Sequence, residues 1–152
     1  MRRFDPPPAR FFPVVPGKPF VRSGLRVYAF RLAHTVPSVG YVLRRGAAAA
    51  AVLGDTGYRE ALFRRLAGIG GLRLLVIECS YPSRLEGLAG KALHLTPALL
   101  ARGLAAVRAA HPRLRVLASH LKPPWAAETE RELSALDPPV RIARDGDRLP
   151  LF

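Results

Sequence analysis

Among the residues able to do chemistry, His34, Asp55 and His120 stand out by type and placement. His34 ends a predicted strand that begins at residue 25, Asp55 follows a strand over 47–53, and His120 follows one over 114–118. Polar side chains at the carboxyl ends of strands gather at one rim of a mixed or parallel sheet, which is where sites form in α/β folds. Glu78 and Cys79 end the intervening strand, 72–77, at the same rim. Two imidazoles and a carboxylate suit zinc, manganese or iron, and a carboxylate bridges two ions through its two oxygens. Such a pair of ions would orient and deprotonate a water for attack on a phosphoryl group. The same residues also have plainer readings. Asp55, between Gly54 and Thr56-Gly57, suits a turn or a helix cap, and either histidine can be held by an ordinary hydrogen bond.

Other reactive residues weigh less. Cys79 has no glycine-framed nucleophile elbow around it and reads as a small buried or rim residue. Glu78 reads as a carboxylate that orients a ligand histidine, or simply as the end of a strand. Lys122, two residues after His120, is positioned to attract a phosphate, or is a solvated rim cation like the pairs Arg44-Arg45 and Arg64-Arg65. Trp125 has no second aromatic spaced with it as a stacking platform and is expected to anchor the last helix, while His111 before Pro112 reads as a helix end. No glycine turn here has the spaced glycines and lysine of a phosphate-cradling loop.

The elements that must position these groups follow from periodicity. Strands are predicted over 25–34, 39–43 and 47–53; Ala47 to Ala51 have helix propensity, but their short apolar run between Gly46 and the Gly54-Asp55 turn favours a buried strand. The pattern turns helical over 58–67, with Ala61, Leu62, Leu66 and Ile69 inward. A continuous apolar strand over 72–77 reads as central. A loop over 79–94 leads to the clearest helix, with Thr96 as N-cap, Pro97 in the first turn, and Leu100, Leu104 and Val107 on one face. A strand over 114–118, a helix over 125–136 and a strand over 140–143 complete a β-β-β-α-β-α-β-α-β order, hence a mixed sheet covered by helices on at least one side. The predicted strands carry two apolar faces, so a second layer must cover the sheet.

Of 152 residues, 49% are apolar, enough for the core of one domain. Residues 1–20 hold six prolines and read as an irregular proline-rich arm, whose Phe4, Phe11, Phe12 and Phe20 are expected to lie against something; residues 21–152 read as the folded unit. The single cysteine excludes an intramolecular disulfide and a cysteine-based zinc cluster within one chain, and a reducing, cytoplasmic setting is expected. No apolar run approaches the roughly 20 residues that cross a bilayer, so no membrane partner is expected. The net charge of +13 rests on 24 basic residues, 21 of them arginine, and implies a nonspecific attraction to nucleic acid.

Five segments in order, HTVPSVGYVL, LGDTG, ECSYP, HLTP and ASHLKP, resemble the second half of the class II cyclic-nucleotide phosphodiesterases, a branch of the metallo-β-lactamase superfamily. The resemblance spans roughly residues 18–147. It implies a partial αββα sandwich, with His34 as ligand of a first metal, Asp55 bridging two metals and catalytic with them, and His120 as ligand of the second. It also implies that His94, from HLTP, acts in catalysis, near the substrate phosphate or in protonation. Glu78, Lys122 and Thr56 are expected to support these ligands or to touch substrate. The implied metal is zinc, two ions in intact relatives, and the implied substrate is a 3′,5′-cyclic nucleotide such as cyclic AMP, opened to the 5′-nucleotide.

The HxHxDH segment that supplies the remaining ligands in that family has no counterpart upstream of His34. The chain is therefore expected to be a truncated or separately encoded half, weak or inactive as a hydrolase alone, with a second copy or a first-half chain as partner. A noncatalytic interaction or remnant domain is the alternative. A relative of the tRNA 3′-processing endonucleases is another, although Tyr41 and Asp55 leave no room between them for a long tRNA-gripping insertion.

Overall fold

The computed structural model describes residues 12–149. Pro6, Pro7, Pro8, Phe4 and Phe11 of the expected arm, and the last three residues of the expected folded unit, lie outside the described residues. The chain opens with a meander: β1 (Phe20–Arg22), β2 (Leu25–Leu32), β3 (Ser38–Arg45) and β4 (Ala48–Leu53) pair antiparallel, each with the next. Then α1 (Glu60–Ala67) leads to β5 (Leu72–Glu78). The helices α2 (Glu86–Ala92) and α3 (Pro97–Ala110) lead to β6 (Arg115–Ser119), and α4 (Ala126–Ser134) leads to β7 (Arg141–Ile142). From β4 onward the pairing is parallel, and the seven strands make a mixed sheet in sequence order.

A sheet that always grows in one direction through parallel crossovers of one hand lays its helices on one face. The main core accordingly joins Phe30, Ala51, Leu75 and Val116 of the strands to Phe63, Leu66, Leu100, Leu104 and Leu133 of the helices. Ala49 and Ala51 of β4 are both buried, in the same core as the side chains of α1 and α3. Thr96 caps α3, its hydroxyl accepting from the Leu99 N–H, with Pro97 in the first turn, where its missing N–H costs no intrahelical bond. On the opposite face a smaller cluster of Ala50, Leu74 and Leu117 packs with Val76, Ala143 and Leu149.

Three expectations about elements need correction. Phe20, the last residue of the expected arm, opens strand β1, which is returned on β2 by Ser23-Gly24, both at positive φ, the conformation of tight hairpin turns. The expected loop over 79–94 contains α2, whose two glycines hide it from propensity. Ala61 is exposed and Phe63 takes an inward position beside Leu62 and Leu66, and α1 starts at Glu60 rather than at Tyr58. His111 does more than end a helix: its Nε2 lies 3.0 Å from the Ala67 carbonyl and 3.3 Å from the Leu66 carbonyl, so its ring packs onto the carbonyl end of α1.

Candidate metal centre

Strands β2 and β4 both run antiparallel to β3, so they run parallel to each other, and β5 and β6 run parallel to β4. Four carboxyl ends therefore share one edge of the sheet. Glu78 is the last residue of β5, and the segments that leave β2, β4 and β6 carry His34, Asp55 and His120. Asp55 Oδ2 lies 3.8 Å from His34 Nε2 and 3.1 Å from His120 Nε2, so one carboxylate oxygen stands between imidazoles that are 86 positions apart in the chain. His120 adopts a left-handed conformation, φ 63, as the chain turns off β6.

His94 joins them from the loop between α2 and α3. Its ring centroid is 4.9 Å from that of His34 and 5.5 Å from that of His120. His34, Asp55 and His94 each offer a ligand atom, and the three atoms lie within 4.8 Å of one another, a partial metal-ligand cluster. The tautomers suit such a role. His34 Nδ1 lies 3.1 Å from the Leu93 carbonyl, which can only accept, so Nδ1 carries a proton and Nε2 is the nitrogen that faces Asp55.

Beneath the cluster sits Glu78, 1% exposed. Its Oε1 accepts from the Thr56 N–H at 3.1 Å and from His94 Nδ1 at 2.7 Å; its Oε2 accepts from Ser80 Oγ at 2.9 Å and from the Leu95 N–H at 3.2 Å. With Nδ1–H donated to the carboxylate, Nε2 is the nitrogen of His94 left for a metal, the arrangement by which carboxylates orient ligand histidines. Burial pushes the Glu78 carboxyl up to about 7, against the lowering effect of those donors. Burial also pulls His94 down, and the Lys122 ammonium acts in the same sense, so its imidazole is held neutral.

The remaining expected residues fall around this centre. Thr56 is fully buried, with its N–H on Glu78 and its hydroxyl on the Gly57 carbonyl, so it faces the network and not solvent. Lys122 Nζ lies 3.0 Å from His120 Nε2. Cys79 is buried and free, its thiol pushed up by burial and by Glu78, which leaves it unsuited to nucleophilic attack. Ser80, the Leu93 carbonyl and Tyr81 were not singled out in the sequence. Tyr81 packs 5.8 Å from the His94 ring and 5.3 Å from Trp125, so the aromatic neighbour that sequence spacing denied Trp125 arrives from another loop.

No family model matches the chain, and no curated protein matches it. Solved structures do match. The metallo-beta-lactamase fold protein YhfI from Bacillus subtilis superposes with a TM-score of 0.69 at 15% identity, over 88% of this chain and 53% of that one. The short form of human tRNase Z gives 0.63 at 20% identity, over 87% and 45%. Zn(2+)-bound PqqB from Methylobacterium extorquens gives 0.57 at 18%, over 91% and 51%. The fold is thus that of a metallo-β-lactamase-type αββα sandwich, represented here by a mixed sheet and its flanking helices. A partial metal-ligand cluster sits at the sheet's edge, and the chain spans about half the length of the solved structures it matches. No helix among the described residues is long and apolar enough to cross a membrane.

Proposed function

We propose that this chain supplies one half of a divalent-metal centre for phosphodiester hydrolysis, with a cyclic nucleotide as the substrate class and zinc as the expected metal. The observation that carries the reading is the convergence of His34, Asp55 and His94 within 4.8 Å, with the proton-bearing nitrogens of His34 and His94 turned away onto Leu93 and Glu78. His34, Asp55 and His94 would hold the ion. A cation bound there would act as a Lewis acid and lower the pKa of a coordinated water. Glu78 fixes the ring of His94, and Lys122, beside His120, offers a positive charge to a substrate phosphate. The three-residue cluster suits one ion, with His120 beside it, its Nε2 3.1 Å from Asp55 Oδ2. Tyr81 and Trp125, in a row beside His94, offer aromatic faces to a nucleobase.

With three protein ligands among the described residues, turnover by these residues alone is expected to be slow or absent. A second copy, or a segment carrying the complementary ligands, would complete the site. A reducing, cytoplasmic location agrees with the free, buried Cys79. A tRNA 3′-processing activity draws support from the likeness to the human tRNase Z fold, but β3 and β4 are joined by the tight Gly46-Ala47 turn, which leaves no tRNA-gripping arm there.

The test is elemental analysis and zinc titration of the purified chain, with cyclic AMP hydrolysis followed by chromatography. About one zinc per chain is expected, with affinity falling at least roughly tenfold in each of H34A, D55A and H94A. Zinc binding unchanged in all three variants overturns the reading. Cleavage of a tRNA precursor in place of cyclic AMP would transfer the site to the endonuclease class.

A further inference from the structure

The loops that carry His34, Asp55 and His94 meet at a glycine. Gly57 is buried, two residues after Asp55, and its N–H donates at 2.7 Å to the carbonyl of Ala33, the residue before His34. The preceding amide, of Thr56, donates to Glu78, which holds the ring of His94. Successive N–H groups thus fasten the Asp55 loop to the supports of both histidines.

On its other side Gly57 packs against Leu93, the residue before His94. A methyl at Gly57 would stand 3.1 Å from Leu93 Cα, 3.2 Å from its Cδ2 and 3.3 Å from its Cβ, each inside the roughly 3.5–4.0 Å of ordinary carbon contact. Leu93 closes α2 in the left-handed conformation, φ 54 and ψ 55, where glycine is the usual residue. A leucine keeps that conformation only where its surroundings hold it. There its carbonyl meets His34 Nδ1 at 3.1 Å, and the chain passes on to His94, whose N–H is tied to the Ala89 carbonyl at 2.9 Å. A push from Gly57 on Leu93 therefore moves the supports of two imidazoles at once, and recoil of Gly57 moves Asp55.

We propose that Gly57 is the positioning residue of this centre: its lack of a side chain lets the three loops close on one another, and the Gly57–Leu93 contact sets the distances among the ligand atoms of His34, Asp55 and His94. Gly57 has no side chain to offer a metal and acts through Ala33 and Leu93. Its effect on binding rests on the metal-centre reading, whereas the junction itself is made by protein groups alone.

Zinc titration of the full chain, together with nitrogen-15 NMR of the metal-free chain in which the His34 Nδ1–H is followed directly, tests it. Gly57→Ala is expected to lower zinc affinity roughly tenfold or more, as loss of a group that orients a ligand does, and to shift or erase the parent's Nδ1–H signal. Leu93→Gly removes the contacts at Cβ and Cδ2 and takes positive φ without strain, so G57A/L93G should recover the signal and come within about threefold of the parent's affinity. Leu93→Val, whose branched side chain is ill suited to positive φ, disturbs the same carbonyl without adding an atom at Gly57 and should act as G57A does. Gly103→Ala, crowded against Phe63 in the core, is expected to leave zinc affinity and signal unchanged. Parental affinity and signal in folded G57A and L93V overturn the proposal. Failure of L93G to rescue G57A overturns it too, as does a loss in G103A as large as that in G57A. Zinc binding absent from the parent overturns the metal-centre reading instead, and the Nδ1–H signals of the same variants then decide the junction by themselves.

Discussion

Glu78 ties together segments that the sheet alone does not, and its removal has a calculable cost. The side chain is 1% exposed and accepts from Thr56, Leu95, Ser80 and His94. In Glu78→Ala, Ser80 can still donate to the His120 carbonyl at 3.1 Å, and His94 can turn to Ser80 Oγ at 3.2 Å. The backbone N–H groups of Thr56 and Leu95 have no such freedom, and each stranded donor costs about 1–3 kcal/mol, with a further loss from the emptied volume. We expect about 3–5 kcal/mol in all, or a fall in Tm of roughly 10 °C for a domain of this size. Glu78→Gln keeps the shape but presents an NH2 group to one of the two N–H donors, so one of them stays stranded in either orientation. Its loss should be about 1–2 kcal/mol, because glutamine also escapes the burial that raises the carboxyl to about 7. Thermal unfolding of the metal-free variants measures both values, and hydrogen exchange locates the damage at the Thr56 and Leu95 amides. An alanine variant that melts within about 3 °C of the parent, with both amides still protected, would refute this account of the network.

Other consequences are equally accessible. A methyl added at Gly103 would come within 2.4 Å of Phe63 Cε1, and Phe63 is 2% exposed with nowhere to move. Gly103→Ala gains about 1 kcal/mol of helix propensity yet should lose about 1–3 kcal/mol net in urea unfolding; equal or greater stability would contradict that packing. Zinc at a hundred times its dissociation constant should stabilise the chain by about 3 kcal/mol, reversed by EDTA and absent in D55A, as followed by thermal shift. The Arg84 guanidinium holds the Glu128 carboxyl below its ordinary value of 4.5. The contribution of that pair is therefore present above 4.5 and lost as pH falls through the lower folded-state value. Arg84→Ala and the parent should converge in stability on acidification, and since both side chains reach solvent the gap at neutral pH should be small.

The order of strands and helices was readable because the sheet advances one strand at a time and each element has its own periodicity. Even Ala48 to Ala51, helical by propensity, became a strand, since the seven residues between Gly46 and Gly54 are too few for a helix but span a buried strand. What escaped is what local pattern does not encode. The three residues of β1 are all exposed and have no buried face to betray them, although Ser23-Gly24 was the available signal for a hairpin. Likewise α2 carries two glycines in seven residues and shows buried character only at Ala89.

At the site, His34, Asp55 and His120 were legible for a topological reason. Strands β2, β4, β5 and β6 point the same way, so whatever follows them shares an edge however far apart it lies in sequence. His94 follows no strand. It reaches the cluster because its own N–H donates to the Ala89 carbonyl at the end of α2 and its ring is fastened to Glu78, a pairing across 16 positions that no periodicity announces. Glu78 is therefore the point where fold and chemistry meet. As the last residue of β5 it belongs to the sheet's core pattern, and as the acceptor for His94 it decides which imidazole nitrogen can hold a metal. A site whose ligand orientation depends on a strand-end carboxylate inherits the rigidity of the sheet, and this lets a half-set of ligands stay assembled before any cation arrives.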